Sequence, residues 1–254
     1  MTTAIILSAG QGKRLRPLTN NRPKGMVQVA GLPIIEHQLK LFRKVGIGDI
    51  AIVQGFCAEA IPDYGVRRYA NLKFAETNMV YSLFCASAEL ASGPVIVSYG
   101  DILYSEGVLR ALLRSSAAVS VVVDLDWKNY FQQRASNPYE DAESLVFDSD
   151  GNISSIGQSD PDPDEVVAQY IGLMKFDDAG LRAICNIRDE CADDCRKIGW
   201  NRYWSEAYMT DLLQELANRE VTLYPVLIRG EWCEIDTLKD FDLAERRVRE
   251  FTSN

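Results

Sequence analysis

Histidine is almost missing from this sequence: His37 is the only one among 254 residues. A Ser–His hydrolase, a histidine-rich metal cage or a histidine general base would have one residue to work with. His37 lies on a helical stretch far in sequence from every motif below and reads as a structural or surface residue. A surplus of positive charge is also lacking, since 27 lysines and arginines face 36 aspartates and glutamates, a formal net charge of −9. Nucleic acid is thereby disfavoured as the main partner, because a phosphate backbone calls for a basic face. No apolar run reaches the length of a membrane helix. The first apolar stretch has its basic residues after it, the reverse of a secretion signal. The expectation is a cytoplasmic protein with no membrane partner. The six cysteines are scattered, with neither a disulfide framework nor a standard zinc spacing. Cys191 and Cys195, with Cys185 nearby, read as helix thiols and not as metal ligands.

What is present is concentrated at the start, in residues 4–24, AIILSAGQGKRLRPLTNNRPK. A short apolar strand (Ala4 to Leu7) runs into a loop holding Gly10 and Gly12, and Lys13, Arg14, Arg16 and Lys24 follow. Glycines let a ligand approach the main chain, and a strand ending in a basic loop suits a polyphosphate. Two familiar phosphate loops are excluded. A P-loop would need glycine at Leu7 and Ser or Thr at Arg14, and the dinucleotide fingerprint would need glycine at Leu15.

Along the chain, strands and helices alternate. Pro33 opens a helix that stops at Gly46, and Asp49 to Gln54 is a buried strand. Leu72 to Ala75 reads as another strand and Met79 to Leu90 as a helix. Val95 to Tyr99 is a strand delivering Gly100-Asp101, Glu106 to Arg114 a helix, and Ala117 to Asp126 a Val-rich strand. A hairpin over Glu143 to Phe147 and Asn152 to Gly157 precedes a strand from Val166 to Phe176. Helices near Ala179 to Arg188 and Tyr203 to Asn218, strands Val221 to Leu227 and Glu231 to Ile235, and a last helix capped by Thr237 complete the chain. The fold class is α/β: a mostly parallel twisted sheet flanked by helices, Rossmann-like, with a small β-rich insertion. One domain over 1–254, with its hairpin insertion at roughly 140–170, is the simplest organisation. In such sheets ligands bind beyond the carboxyl ends of strands, where the N-terminal loop and Asp101 would sit.

The run Leu7-Ser8-Ala9-Gly10-Gln11-Gly12-Lys13-Arg14-Leu15-Arg16-Pro17-Leu18-Thr19, followed by Pro23-Lys24, resembles the signature of the nucleotidyltransferases that make nucleotide-diphospho compounds. The resemblance implies nucleotide binding by Ser8, Ala9, Gly10, Gly12 and Lys13, with Gly100 beside them. It implies that Arg14 faces the β- and γ-phosphates and Lys24 the α-phosphate and the acceptor. It also implies Mg²⁺ as cofactor, held by Asp101 and by Asp236 in the late run Glu231-Trp232-Cys233-Glu234-Ile235-Asp236-Thr237. A carboxylate on a rigid strand end after a glycine suits such a ligand; the alternative is a helix N-cap or turn aspartate at Asp101 and a helix cap at Asp236. Glu234 lies two residues from Asp236 on the same strand face. No general base is needed, because a phosphate or phosphonate acceptor is already largely dianionic near neutral pH.

The segment Thr77-Asn78-Met79-Val80-Tyr81-Ser82-Leu83 is similar to that of phosphocholine and aminoalkylphosphonate cytidylyltransferases. Asn78 and Ser82, four apart, could face one ligand at a helix start, Asn78 reading a pyrimidine edge or simply capping the helix. Trp127 with Asp124 or Asp126, and a second cluster of Trp204, Glu206 and Tyr208, set aromatic faces beside carboxylates. That combination cradles an ammonium group, or else the aromatics pack in the core. The resulting expectation is a cytidylyltransferase joining CMP from CTP to 2-aminoethylphosphonate, phosphocholine or phosphoethanolamine, with a homodimer as the ordinary assembly. The alternatives are a sugar-1-phosphate nucleotidylyltransferase and a catalytically silent nucleotide-binding regulatory subunit.

Overall fold

A computed structural model describes residues 1–91, 93–193 and 196–252; Cys195 lies outside the described residues. In chain order the main elements are β1 (Thr3–Ser8), α1 (Ile34–Lys44), β2 (Ile50–Gln54), β3 (Arg67–Ala70), α2 (Met79–Cys85), β4 (Val95–Tyr99), β5 (Ile102–Tyr104) and α3 (Glu106–Arg114). They continue as β6 (Val119–Asp124), α4 (Trp127–Arg134), β7 (Glu143–Phe147), β8 (Ile153–Ser159), β9 (Gln169–Phe176), α5 (Asp178–Cys191), α6 (Met209–Asn218), β10 (Leu223–Ile228), β11 (Trp232–Glu234) and α7 (Leu238–Thr252). The chain forms two compact units. The first takes 1–76, 82–110 and 231–254, and the second 77–81 and 111–230.

In the first unit β3, β2, β1 and β4 lie side by side and all pair in parallel. β1 is buried along its whole length, as a central parallel strand covered on both faces must be. Its register sets Leu7 between Val53 and Tyr99, so the carboxyl ends of β1 and β4 arrive together. Helix α1 buries Ile34, Ile35, Leu39 and Phe42, a stripe at helical spacing. β5 pairs antiparallel with β11, with Ile102 opposite Glu234.

In the second unit the order is β9, β6, β10, β8, β7. β10 runs parallel to β6, while β9, β8 and β7 supply antiparallel pairs. The α/β reading therefore holds, with the strictly parallel strands confined to the first unit and a mixed set in the second. Three expectations change. The strand near Leu72 to Ala75 is instead β3, whose Arg67 and Arg68 sit on a sheet edge, where charge is tolerated and no apolar signal is required; Leu72 itself is 89% exposed. The helix from Met79 ends at Cys85 and resumes only as a short 3₁₀ turn over Ser87–Ala91. The helix read from Tyr203 begins only at Met209, as α6, behind an extended Arg202–Tyr203 and a 3₁₀ turn over Trp204–Glu206. Among the described residues no helix is long and apolar enough to cross a membrane.

Candidate active site

The site is built where β1 and β4 end. Gly100 donates its N–H to the Leu7 carbonyl at 2.8 Å. A Cβ on Gly100 would stand 2.7 Å from that carbonyl and 2.8 Å from Ser8 Cβ, so only glycine lets the two strand ends meet this closely. Asp101 follows at once and turns its carboxylate toward Lys24. The Ser8 hydroxyl is buried and has no hydrogen-bond partner. It lies near both Gly25 and Gly100, at 2.6 and 3.0 Å from where their Cβ atoms would be. A buried hydroxyl left unpaired costs about 1–3 kcal/mol and marks a place for an absent ligand or water.

The basic loop is folded around the stem of Lys24. Gly12 has φ of +67°, and its Cβ would meet Lys24 Cβ and Cγ at 3.1 Å. The Gly12 carbonyl accepts from the Leu15 N–H at 3.0 Å and from the Thr19 hydroxyl at 2.8 Å. Lys24 Nζ then reaches the Asp101 carboxylate at 2.6 Å and contacts that of Asp236 as well. Arg14 pairs with the second oxygen of Asp236 at 3.0 Å. Burial works against the lysine charge, but the attraction of Asp101 and Asp236 outweighs it and holds the ammonium well above the usual lysine range. The two carboxylates thus favour the charged form of Lys24. Lys13 and Gly10 are exposed, while Ala9 is buried beside them.

Asp236 is positioned from behind. Its N–H and that of Thr237 donate to one oxygen of Asp240, at 3.1 and 2.9 Å, and the Asp240 N–H donates to the Thr237 hydroxyl at 3.2 Å. This reciprocal cap starts α7 and fixes the turn that carries Asp236. Ile235 N–H bonds the Asp101 carbonyl at 3.0 Å, which joins the two carboxylate-bearing segments. Asp101 and Asp236 thus aim hard oxygen donors at one point. Among the described residues no group of three or more His, Cys, Asp and Glu converges as a closed metal cage. One or two carboxylates completed by substrate phosphates is the usual magnesium arrangement, so the residues fit a divalent ion that comes with a nucleotide. Glu234 is half-buried two residues back, the last residue of β11 and paired with Ile102, so Asp236 lies in the turn beyond the strand and not on the strand face expected for the two.

Ser82 belongs to the first unit, and its hydroxyl accepts from Asn71 Nδ2 at 3.0 Å. The remaining candidates belong to the second unit. Asn78 donates its N–H to the Ser205 carbonyl at 2.8 Å and its side-chain amide to the Glu206 carbonyl at 3.3 Å. Trp127 is buried, with Phe131 and Tyr139 edge-on at 5.5 Å. Asp124 is wholly buried and accepts from the Asp126 and Gly230 N–H groups at 2.9 and 2.8 Å. Asp126 pairs with Arg229 at 2.8 Å. Trp204 is buried, whereas Glu206 and Tyr208 are exposed, and the Arg202 guanidinium stacks on the Tyr208 ring at 4.8 Å.

Residues 4–159 match the family described as the MobA-like NTP transferase domain. The chain belongs to that family. This NTP transferase is 34% identical over 251 residues to the CTP:phosphoglutamine cytidylyltransferase of Campylobacter jejuni, across 94% of this chain and 98% of the relative. A 97-residue stretch is 46% identical to the choline-phosphate cytidylyltransferase of Streptococcus pneumoniae, spanning 37% of this chain and 42% of that one. The solved CTP:phosphocholine cytidylyltransferase from Streptococcus pneumoniae superposes with a TM-score of 0.72 at 26% identity, over 97% of this chain and 99% of the other.

Two residues that hold the backbone of the candidate site escape sequence reading. Gln38 is buried, and its amide donates to the Tyr99 and Ile102 carbonyls, both at 2.7 Å, while its oxygen accepts from Ser98 at 3.0 Å. It staples the backbone on both sides of Gly100-Asp101. The available signal was a polar residue on the apolar stripe of α1, between Ile35 and Leu39. Asp240 was legible only as an acid in the first turn of α7, and its grip on the Asp236 backbone was not.

Proposed function

We propose that this NTP transferase transfers CMP from CTP to a small phosphate or phosphonate carrying a nitrogen group, with release of pyrophosphate. The acceptors proposed are 2-aminoethylphosphonate, phosphocholine, phosphoethanolamine and, from the relative matched over nearly its full length, phosphoglutamine. The observation that carries the reading is Lys24 held between Asp101 and Asp236 with Arg14 alongside. In the reaction an acceptor oxygen attacks the α-phosphorus of CTP, a new P–O bond forms, and the bond to the β-phosphate oxygen breaks. The protein has to align these atoms and offset negative charge as it spreads. Lys24, favoured in its charged form, supplies a point charge for the α-phosphate and the acceptor. Arg14 can fork two phosphate oxygens. The Gly10–Gly12 loop and the unpaired Ser8 hydroxyl receive the nucleotide, and Asn78 is proposed to read its pyrimidine.

Asp101 and Asp236, with Glu234 nearby, are proposed to hold Mg²⁺, which when bound neutralises phosphate charge and orients its oxygens. For the acceptor's cationic end the exposed Glu206 and Tyr208 are the proposed contacts, and Trp127, Asp124 and Trp204 shape the surface from beneath. The whole chain is proposed to act as one nucleotidyltransferase domain. A pyrophosphate-release screen of four nucleoside triphosphates against the four acceptors and a set of sugar 1-phosphates tests the reading, with chelator controls. The expected result is turnover with CTP and a nitrogen-bearing acceptor, abolished by EDTA. Turnover only with a sugar 1-phosphate would replace this reading with the sugar-nucleotide one, and no turnover with any pair would leave the silent regulatory one.

A further inference from the structure

A cavity of about 670 Å³ lies in the first unit among α1, the start of α3 and α7. None of Arg14, Lys24, Asp101 and Asp236 lines it, so it is separate from the candidate active site. Its volume falls within the range of small-ligand and cofactor sites. One wall is apolar, made by Leu41, Leu103, Tyr104 and Val248, the last three nearly fully buried. The rim is cationic. Lys40, Lys44, Arg110 and Arg247 line it with Glu106 and Glu231, Lys40 also pairing with Glu36 at 3.0 Å, in a protein whose formal charge is −9. Glu106 gathers Lys44 and Arg110 at 2.7 and 2.6 Å, and so concentrates two of these cations on one side. An apolar wall with grouped cations suits a ligand that has a ring at one end and phosphate at the other.

The cavity is wired to the catalytic carboxylates through short covalent segments. Asp101 leads directly into β5, whose Leu103 and Tyr104 form the apolar wall. Glu231, on the rim, leads through β11 to Asp236, and β5 and β11 are hydrogen-bonded to each other. Gln38 faces the same cavity while its amide holds the Tyr99 and Ile102 carbonyls around Asp101. A ligand seated here touches the staple and both strands without entering the site they build.

We propose that this cavity is a second ligand site, for a nucleoside phosphate, and that its occupancy changes turnover at the Asp101–Asp236 cluster. The second half rests on the nucleotidyl-transfer reading, whereas the first half does not. Equilibrium dialysis of labelled CTP, ATP and dTTP, each with the full chain, tests the binding. At least one nucleotide is expected to saturate at two sites per chain. Lys24→Ala should remove one of them, and the double variant Lys40→Glu/Lys44→Glu should weaken the other at least tenfold. Leu41→Trp, which fills the cavity without changing charge, should block that same site. Saturation of all three nucleotides at one site or none overturns the proposal, and so does a second site that survives both cavity variants. These results hold whether or not any acceptor is turned over. If turnover is found, the nucleotide bound in the cavity should shift kcat or KM of pyrophosphate release in the wild type and not in Leu41→Trp; unchanged kinetics would overturn the coupling.

Discussion

In the first unit Asp101 and Asp236 share Lys24, and Arg14 adds a second cation to Asp236. In the second unit Glu143 and Asp211 share Arg202, which pairs with Asp211 at 3.2 Å. Asp211 is almost wholly buried. Burial pushes it up from the usual aspartate range, opposed by the Tyr208 and Trp200 N–H groups and by Arg202. Glu143 is pushed up to about 7 by burial, with the Asp211 charge adding to the effect and Arg202 resisting it. Both places set two carboxylates beside basic side chains, but the ratio of cations to acids differs. Where cations match carboxylates, the lysine charge is favoured. Where acids outnumber the cation, one of them becomes a group that titrates near neutrality.

Removing the matched cation should make the first cluster resemble the second. Lys24→Met is expected to lower kcat for pyrophosphate release about a thousandfold, equivalent to roughly 4 kcal/mol. A loss under tenfold would remove Lys24 from the chemistry. Gln38→Leu should cost about 3 kcal/mol in urea unfolding, because two buried carbonyls lose their donor. It should lower kcat more than it changes KM, as expected of a positioning residue. Gly25→Ala should cost about 2 kcal/mol by overpacking, since its Cβ would lie 2.6 Å from Ser8 Oγ and 2.8 Å from Ile35; unchanged stability would show that the strand ends can separate freely.

The smallest expected effect concerns Glu143. Between its ordinary value of 4.5 and its folded value of about 7, the unfolded chain has released a proton that the folded protein keeps. Its contribution to stability therefore falls as pH rises through that window and is level above it. Glu143→Gln should stabilise the protein by about 1–2 kcal/mol at pH 8 and by nothing measurable at pH 4. Equal Tm shifts at both values would mean that Glu143 is not raised.

Local signals carried most of what was legible in the sequence. Strands β1, β2 and β4 are continuous apolar runs, and α3 and β7 fall on the residues their pattern indicates. Asp101 and Asp236, 135 positions apart by number, meet on Lys24 because strand ends, glycines and a basic loop are all readable in short windows. What was not legible depends on tertiary partners. Gln38 owes its role to the carbonyls across from α1, and β3 owes its place to an edge that tolerates arginine. Glu143 titrates as it does because packing buries it and α6 brings Asp211 near, which no spacing along β7 reveals. Trp127 and Asp124 look alike in sequence to an exposed aromatic–acid pair, and only the packing of α4 and the 229–230 turn shows them inside.

The first unit takes its last segment from residues 231–254, after the second unit has been passed. A polypeptide emerging from the ribosome at about 5–20 residues per second thus exposes Lys24 and Asp101 long before Asp236 exists to join them. The second unit can close while the first is still open at the edge of β5, where β11 will pair. Premature termination just before Glu231 would leave that edge bare and the lysine with half its anchor. The candidate cluster is therefore completed only after the whole second unit has been synthesised.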